Sequence, residues 1–273
     1  MAEPRTYDPA EVRAALAGQT ELLHGTVRAL CAAPGAERAL AGPTRLGDWT
    51  VRELVAHLAI VLEWLPQHLD QPVPEGRPVS LVEWTEGTRR LSATVDMVAR
   101  EHAEGAFAGT PQEVASAFDR AADALLAALD RPELGEPKRL FAMRFGPMLL
   151  SDFLVTRLVE TVVHGDDLAV ALGLDLPHER QAVAAVVGLL ADAFAAQVPG
   201  SSVELRIPPY AVVQAVPGPR HTRGTAPHVV ETDPLTWIRL ATGRTDWASA
   251  VEAATVRASG ERSDLAAYLP LLG

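Results

Sequence analysis

The stretch LLSDFLVTRLVETVVHGDDLAVAL, residues 149–172, carries most of the information about this chain. If this stretch is helical, its apolar residues lie on most sides of the helix, which predicts a long buried helix that ends at Gly173. Glu160, His164 and Asp167 interrupt that background as one polar stripe, because residues three or four apart share a helix face. Burying even a neutral polar group without a partner costs about 2–7 kcal/mol. A carboxylate and an imidazole one turn apart can bind one divalent ion, which removes this penalty.

A third ligand would complete an open catalytic metal site. The segment Thr50-Val51-Arg52-Glu53 is a capping box that starts another helix, and His57 lies at the edge of its apolar stripe. Facing helices of a bundle supply metal ligands in this way. Two plainer interpretations stay open. A single histidine such as His57 is usually an ordinary core or surface residue, and Glu160 and His164 could be an ordinary pair, four residues apart, that stabilises the helix.

The bulk composition restricts the class of protein. The chain has 273 residues, a formal net charge of -11 and 48% hydrophobic residues, enough for one large or two modest domains. The acidic balance argues against nucleic acid and anionic membranes as partners, and no apolar run is long enough to span a bilayer. The polar N-terminus has no apolar signal core, and the single cysteine, Cys31, permits no internal disulfide. These features predict a cytoplasmic protein.

The pattern along the chain predicts an α+β protein with two domains. Helices are predicted up to about residue 197, with a change of character near residue 178. Domain boundaries are therefore expected at 1–177 and 178–273. The expected helices of the first domain run from Pro9 to about Ala33, from Val51 to about Leu65, from Leu81 to His102, from Pro111 to Leu129, and from Leu149 to Leu172. In the second domain, a helix from His178 to Gln197 precedes strands at Val203–Ile207, Tyr210–Val216, His228–Glu231 and Val256–Ala258, with helices beginning at Asp233, Asp246 and Ser263.

Two short blocks resemble a known family. GDWTVRELVAHL (residues 47–58) and ETVVHGDDLA (residues 160–169) are similar to the signatures of the mycothiol-dependent maleylpyruvate isomerase family. The N-terminal domain of that family is a DinB-like four-helix bundle. The resemblance implies that His57, Glu160 and His164 bind a divalent metal, usually zinc. It also matches Asp167 to an aspartate of the family motif, which could orient a ligand or the cofactor; an exposed helix charge is the alternative.

The C-terminal part resembles the small sterol-carrier-like α/β domain that is often fused to this bundle. The similar blocks are residues 234–244 and 256–260. A functionally important arginine of the isomerase corresponds to Arg244, whose guanidinium could bind a carboxylate of substrate or cofactor. A surface arginine at the end of a helix is the alternative. The loops at residues 71–78 and 217–227 match nothing specific, so the substrate stays open.

These features together predict a thiol-dependent metalloenzyme. A thiol bound to a cation loses its proton, and the thiolate is the nucleophile. Cys31 is predicted to be a buried small hydrophobe, so the thiol would come from a small cofactor. The resemblance implies mycothiol, the actinobacterial thiol, and a Lys-poor composition typical of GC-rich genomes is compatible with it.

Isomerisation of a small electrophilic substrate and S-transfer to it need the same activated thiolate. The predicted metal site therefore does not tell which of the two reactions occurs. A non-catalytic carrier of small apolar ligands and a metal-dependent hydrolase are the competing functions. The predicted partners are a small-molecule substrate and the thiol cofactor, and the chain could be a monomer or a homodimer.

Overall fold

The computed structural model describes residues 5–88, 92–136, 138–144, 146–219 and 226–272. The chain divides into two compact units. The helical unit comprises Tyr7–Ser80 and Arg90–Ala182, and the sheet unit comprises Met1–Thr6, Leu81–Arg89 and Val183–Gly273. The boundary expected near residue 178 stays a prediction. The described helices are α1 (Pro9–Ala32), α2 (Ala36–Leu40), α3 (Val51–His68), α4 (Leu81–Thr88), α5 (Ser92–Glu104), α6 (Pro111–Leu129), α7 (Leu150–Leu172), α8 (Arg180–Gln197), α9 (Pro234–Ala241) and α10 (Trp247–Glu252).

Four long helices form the bundle of the helical unit. Helix α1 packs against α6 and α7, and α3 packs against the same two helices, so the four close into a ring around one core. Helix α5 lies against α3. The inward face of α3 carries Leu54, Leu58, Leu62 and Leu65, all fully buried. Each contributes about 1.5–3 kcal/mol of transfer free energy, and the same packing places α3 opposite α7.

Local signals in the sequence fix where the bundle helices begin and end. Asp8 accepts hydrogen bonds from the amides of Ala10 and Glu11, with Pro9 as the first helical residue. The capping box predicted at the start of α3 is present, and another forms at the start of α6. Helix α7 ends at Gly173, which adopts a left-handed φ of 64° that a residue with a side chain tolerates poorly.

One predicted helix of the first two-thirds is wrong. The apolar pattern from Leu81 to His102 predicts one continuous helix, whereas the structure has α4 and α5, which belong to different units. Leu81 and Trp84 are buried within the sheet unit, while α5 covers α3 in the helical unit. Periodicity indicates that a face is buried but not which neighbour covers it. Residues 89–91, where the prediction ran on, lie outside the described residues.

A β-hairpin precedes α7 and was not predicted. Strands β1 (Leu140–Met143) and β2 (Gly146–Leu149) pair antiparallel, and their buried side chains Phe141 and Met148 lie opposite each other. Phe141 also packs against Phe153 in the first turn of α7, with ring centroids 4.4 Å apart. The hairpin therefore anchors the beginning of the helix that carries Glu160 and His164.

The sheet unit contains a four-stranded sheet, as the α+β prediction requires. Its strands have the order β4-β3-β5-β6, with β3 parallel to β5 and the other neighbours antiparallel. The strands are β3 (Val203–Ile207), β4 (Ala211–Ala215), β5 (Val229–Thr232) and β6 (Val256–Ser259), close to the predicted positions. The helix predicted from Ser263 is wrong: only a 3₁₀ turn at Ala266–Tyr268 forms, shortly before Pro270. None of the helices in the described ranges has the length and apolarity needed to cross a membrane.

Candidate metal centre

Helices α3 and α7 bring two histidines to one carboxylate. His57 Nε2 lies 3.5 Å and His164 Nε2 lies 3.3 Å from the same oxygen, Glu160 Oε2. The two imidazole rings are nearly perpendicular, at 82°, with centroids 4.7 Å apart. One ligand atom from each residue lies within 4.8 Å of the other two. The side chain of Glu160 is 23% exposed, against 8% for His57, so the cluster is open on one side.

The spacing and the hydrogen bonding of the cluster suit a divalent ion. Ligand atoms about 2.0–2.1 Å from a tetrahedral zinc ion stand about 3.3 Å apart, close to the two separations observed. His57 Nε2 is buried and has no hydrogen-bond partner among the described residues. An unpaired buried nitrogen is costly, and metal ligation would satisfy it. The residues therefore fit a metal that accepts two imidazoles and one carboxylate.

The electrostatics of the cluster prepare it for a cation. Burial lowers the pKa of His57, although the Glu160 carboxylate acts against this shift, so the neutral ligating form is favoured. Burial opposes ionisation of Glu160, yet its close contacts with His164 and His57 hold its pKa well below the usual value. Burial also opposes protonation of His164, but its bonds to Asp167 and Glu160 raise its pKa.

A buried carboxylate fixes the ring of His164 from behind. His164 Nδ1 lies 2.9 Å from Asp167 Oδ2, and Arg45 Nε donates to Asp167 Oδ1 at 2.6 Å. Arg45 also forms an ion pair with Asp166. Asp167 is completely buried, so the alternative of an exposed helix charge is wrong. Its position is that of a residue that orients a ligand, while a catalytic role for Asp167 stays a prediction.

Asp167→Asn is expected to weaken metal binding by about 10- to 100-fold, because the amide no longer holds the His164 ring as a charged acceptor. Asp166→Asn is the matched control: Asp166 is adjacent, buried and paired with Arg45, whereas it is Asp167 that contacts His164 Nδ1. Competition of the purified protein with a chromophoric chelator measures both affinities. Equal affinities for the two variants would remove Asp167 from the support of the site.

The other residues of the first motif anchor the start of α3. The Trp49 indole packs against the His57 ring, with centroids 5.4 Å apart, and its Nε1 donates to Asp96. Arg52 donates to the carbonyl oxygens of Phe107 and Gly109 at 2.5 and 2.8 Å. Trp49 thus fixes the ring of His57, and Arg52 fixes the helix that carries it. Sequence reasoning identified neither role, nor the part played by Arg45.

The remaining predicted residues have other surroundings. Arg244 lies in the sheet unit after α9, where its Nη1 donates to the carbonyl oxygen of Thr242 at 2.7 Å. Its role in binding a substrate or cofactor carboxylate stays a prediction. Cys31 is buried on α1, as predicted, and burial raises the pKa of its thiol. His24, which lies outside the cluster, is partly buried and contacts Asp119 at 2.6 Å.

Comparison with known proteins places the chain in a family. A family model described as the mycothiol maleylpyruvate isomerase N-terminal domain matches residues 20–169, and one described as a bacterial SCP ortholog matches residues 179–271. The first match covers more than half of the chain. The protein therefore belongs to the mycothiol maleylpyruvate isomerase family and carries a C-terminal domain of the SCP type, as the resemblance predicted.

Solved structures agree at the level of the fold. The crystal structure of the mycothiol-dependent maleylpyruvate isomerase is 16% identical, with a TM-score of 0.60, and the match covers 98% of this chain and 97% of that chain. A histidine-to-alanine mutant of that enzyme is 17% identical, with a TM-score of 0.59 and the same coverage. No curated protein matches the sequence. At these identities the likeness establishes a shared fold along nearly the whole chain.

Proposed function

We propose that this protein is a metal-dependent enzyme that activates mycothiol for isomerisation of, or S-transfer to, a small electrophilic substrate. The observation that carries the proposal is the cluster of His57, Glu160 and His164, in which a buried imidazole nitrogen makes no hydrogen bond to the described residues. The cluster lies on the segments that match the family of a mycothiol-dependent isomerase. A bound divalent ion would supply the positive charge that stabilises a thiolate at neutral pH.

The residues of the chain have distinct tasks in this proposal. His57, Glu160 and His164 hold the ion, and zinc suits two imidazoles with one carboxylate. Asp167 and Arg45 fix the orientation of His164 from the buried side. The exposed edge of Glu160 marks the side from which a thiol can approach. We assign Arg244 to a carboxylate of the substrate, on the basis of the family resemblance.

The thiol is proposed to come from outside the chain. Cys31 is the single cysteine, it is buried on α1, and burial raises its pKa, so the protein's own thiol is neither accessible nor activated. A free cysteine and a thiol cofactor both suit the reducing cytoplasm, where we place the protein, and mycothiol suits an actinobacterial source.

Cobalt substitution tests the role of the thiol. Adding mycothiol to the cobalt-loaded protein at neutral pH is expected to produce a cobalt–thiolate charge-transfer band in the near ultraviolet, because the cation stabilises the thiolate. Cys31→Ser is the control, and it should retain both the band and the activity, since Cys31 is not a member of the ligand cluster.

The other outcomes of that experiment identify the competing functions. A band that appears without added thiol and disappears in Cys31→Ser would show that the protein uses its own cysteine, which contradicts the proposal. Turnover that needs metal but no thiol would indicate a hydrolase. A wild-type protein that binds no metal at all would indicate a non-catalytic carrier of small apolar ligands, in which the helical bundle serves only as a scaffold.

A further inference from the structure

An apolar groove on the surface of the helical unit stays open in the single chain. It lies between α1 and the segment that follows α7, and its volume is about 560 Å³. The residues that line it include Leu22, Gly25 and Ala29 from α1, and Leu172, Leu174 and Leu176 on the other side. Leu174 is 53% exposed, so a large apolar side chain at the groove is in contact with water. An open apolar surface of this kind is typical of an interface with another protein.

The part of α1 that lines the groove allows a second helix to approach closely. Gly25 and Ala29 are exposed and one turn apart, and a Cβ added to Gly25 would meet no other described residue within 4 Å. Between them, the Thr26 hydroxyl donates to the carbonyl of Leu22 at 2.8 Å, so it needs no water. Small residues at a helix contact shorten the distance between the two axes. Helix α1 has 24 residues and is therefore about 36 Å long, enough for an extended contact with another helix.

Two charges of opposite sign border this part of α1. Glu21 and Arg28 are both exposed, and seven residues separate them, about 10.5 Å or nearly two turns, so they lie on the same side of the helix. Glu21 also lines the groove. The side chain of Arg28 is 64% exposed and its Nε lies 3.9 Å from Asp119, so the guanidinium can meet a second carboxylate. A pair of opposite charges at a fixed spacing gives a contact between two identical helices its direction.

We propose that a second copy of this chain covers the groove, so that the protein is a homodimer in which the two α1 helices pack antiparallel. A two-fold axis that crosses α1 between His24 and Gly25 brings Glu21 of each copy level with Arg28 of the other, because both residues lie equally far from that axis. Parallel helices would instead place Glu21 against Glu21 and Arg28 against Arg28. Charge complementarity therefore selects the antiparallel pair, and it makes this surface complementary to a second copy of itself.

The apolar groove and the two charge pairs have different tasks in this dimer. Helix α1 of one copy lies along the groove of the other and removes Leu174 from water, which favours association. Ion pairs at the edge of an interface contribute little free energy, but they fix its register and direction. The inference concerns the assembly of the chain and does not depend on the proposed function.

Sedimentation velocity of the full-length protein at micromolar concentration tests the inference. The wild type should sediment as a dimer, with twice the chain mass of 29.1 kDa. Gly25→Trp should weaken dimerisation at least about tenfold, because the indole would stand in the helix contact, while the single chain has room for it. Gly25→Ala is the matched control, because a methyl group is small enough for a close helix contact, and this variant should dimerise like the wild type.

Exchange of the two charges tests the antiparallel register. Glu21→Arg and Arg28→Glu each place two pairs of like charges side by side, so each variant alone should dimerise more weakly than the wild type. An equimolar mixture of the two variants should recover the dimer, because a mixed pair contains both opposite-charge contacts. The two substitutions change the net charge in opposite directions, so an overall charge effect cannot weaken both. Glu101→Arg, at an exposed position of α5, is the control and should leave the dimer unchanged.

Several results would overturn the inference. They are a wild type that stays monomeric at micromolar concentration, a Gly25→Trp variant that dimerises as tightly as the wild type, and a dimer that neither charge variant weakens. A mixture of the two charge variants that dimerises no better than either alone would overturn the antiparallel arrangement. If circular dichroism shows that Gly25→Trp does not fold, the charge variants decide, since both replace exposed side chains.

Discussion

His57→Ala and His164→Ala are each expected to lose most of the bound metal and, with it, the thiol-dependent activity. The wild type should contain roughly one equivalent of divalent metal, since one open site needs three protein ligands. Each alanine removes one of only three, and the Glu160 carboxylate is left with a single imidazole at 3.3 or 3.5 Å. Elemental analysis by mass spectrometry after gel filtration measures the metal content directly.

His24→Ala is the matched control for these two variants. His24 is partly buried, lies on α1 of the same helical unit and contacts a carboxylate, Asp119, at 2.6 Å. The variant therefore removes a histidine–carboxylate contact of the same helical unit without touching the cluster, and it should keep its metal. Equal metal content in the wild type, His57→Ala and His164→Ala would rule out the assigned ligands.

Arg45→Met is expected to destabilise the metal-free protein by about 3 kcal/mol. Removing one member of a buried ion pair typically costs about 3–5 kcal/mol, because the remaining charge stays desolvated. Arg45 pairs with both Asp166 and Asp167, whose side chains are 4% and 0% exposed. The lower end of the range applies because Arg45 is itself 21% exposed and partly screened by solvent. Urea unfolding followed by circular dichroism gives the free energy of unfolding.

Arg28→Met provides the comparison for an exposed pair. Arg28 is 64% exposed and lies 3.9 Å from Asp119, so its loss should change the free energy of unfolding by less than about 1 kcal/mol. Similar losses in the Arg28 and Arg45 variants would mean that the buried network contributes no more than a surface pair. The contacts from Arg45 through Asp167 would then not explain how the His164 ring is held in its orientation.

The parts of the fold that the sequence predicted depend on local interactions. The capping box at Thr50 and the glycine after Leu172 fix helix ends through neighbours three or four residues away. Glu160 and His164 were identified for the same reason, since a spacing of four residues places both on one face of a helix. His57 required one further assumption, that α3 and α7 face each other, and the structure places it there.

The parts that were missed depend on contacts between distant segments. Arg45 lies in an irregular loop, and its partner Asp167 is 122 residues away, so no periodicity connects them. Because the sequence does not reveal the contact with Arg45, the alternative of Asp167 as an exposed helix charge stayed open. The division of residues 81–104 between two units has a similar cause: an apolar stripe does not reveal which unit will cover it.

X-ray absorption at the zinc edge tests the central claim most directly, because it reports the atoms bound to the metal. Without thiol, the zinc-loaded protein should show only nitrogen and oxygen neighbours at about 2.0–2.2 Å, as the His57, Glu160 and His164 cluster predicts. After addition of mycothiol, one sulfur neighbour at about 2.3 Å should appear, in the wild type and in Cys31→Ser alike. A spectrum that gains no sulfur neighbour with mycothiol, or that contains one before its addition, would contradict the account.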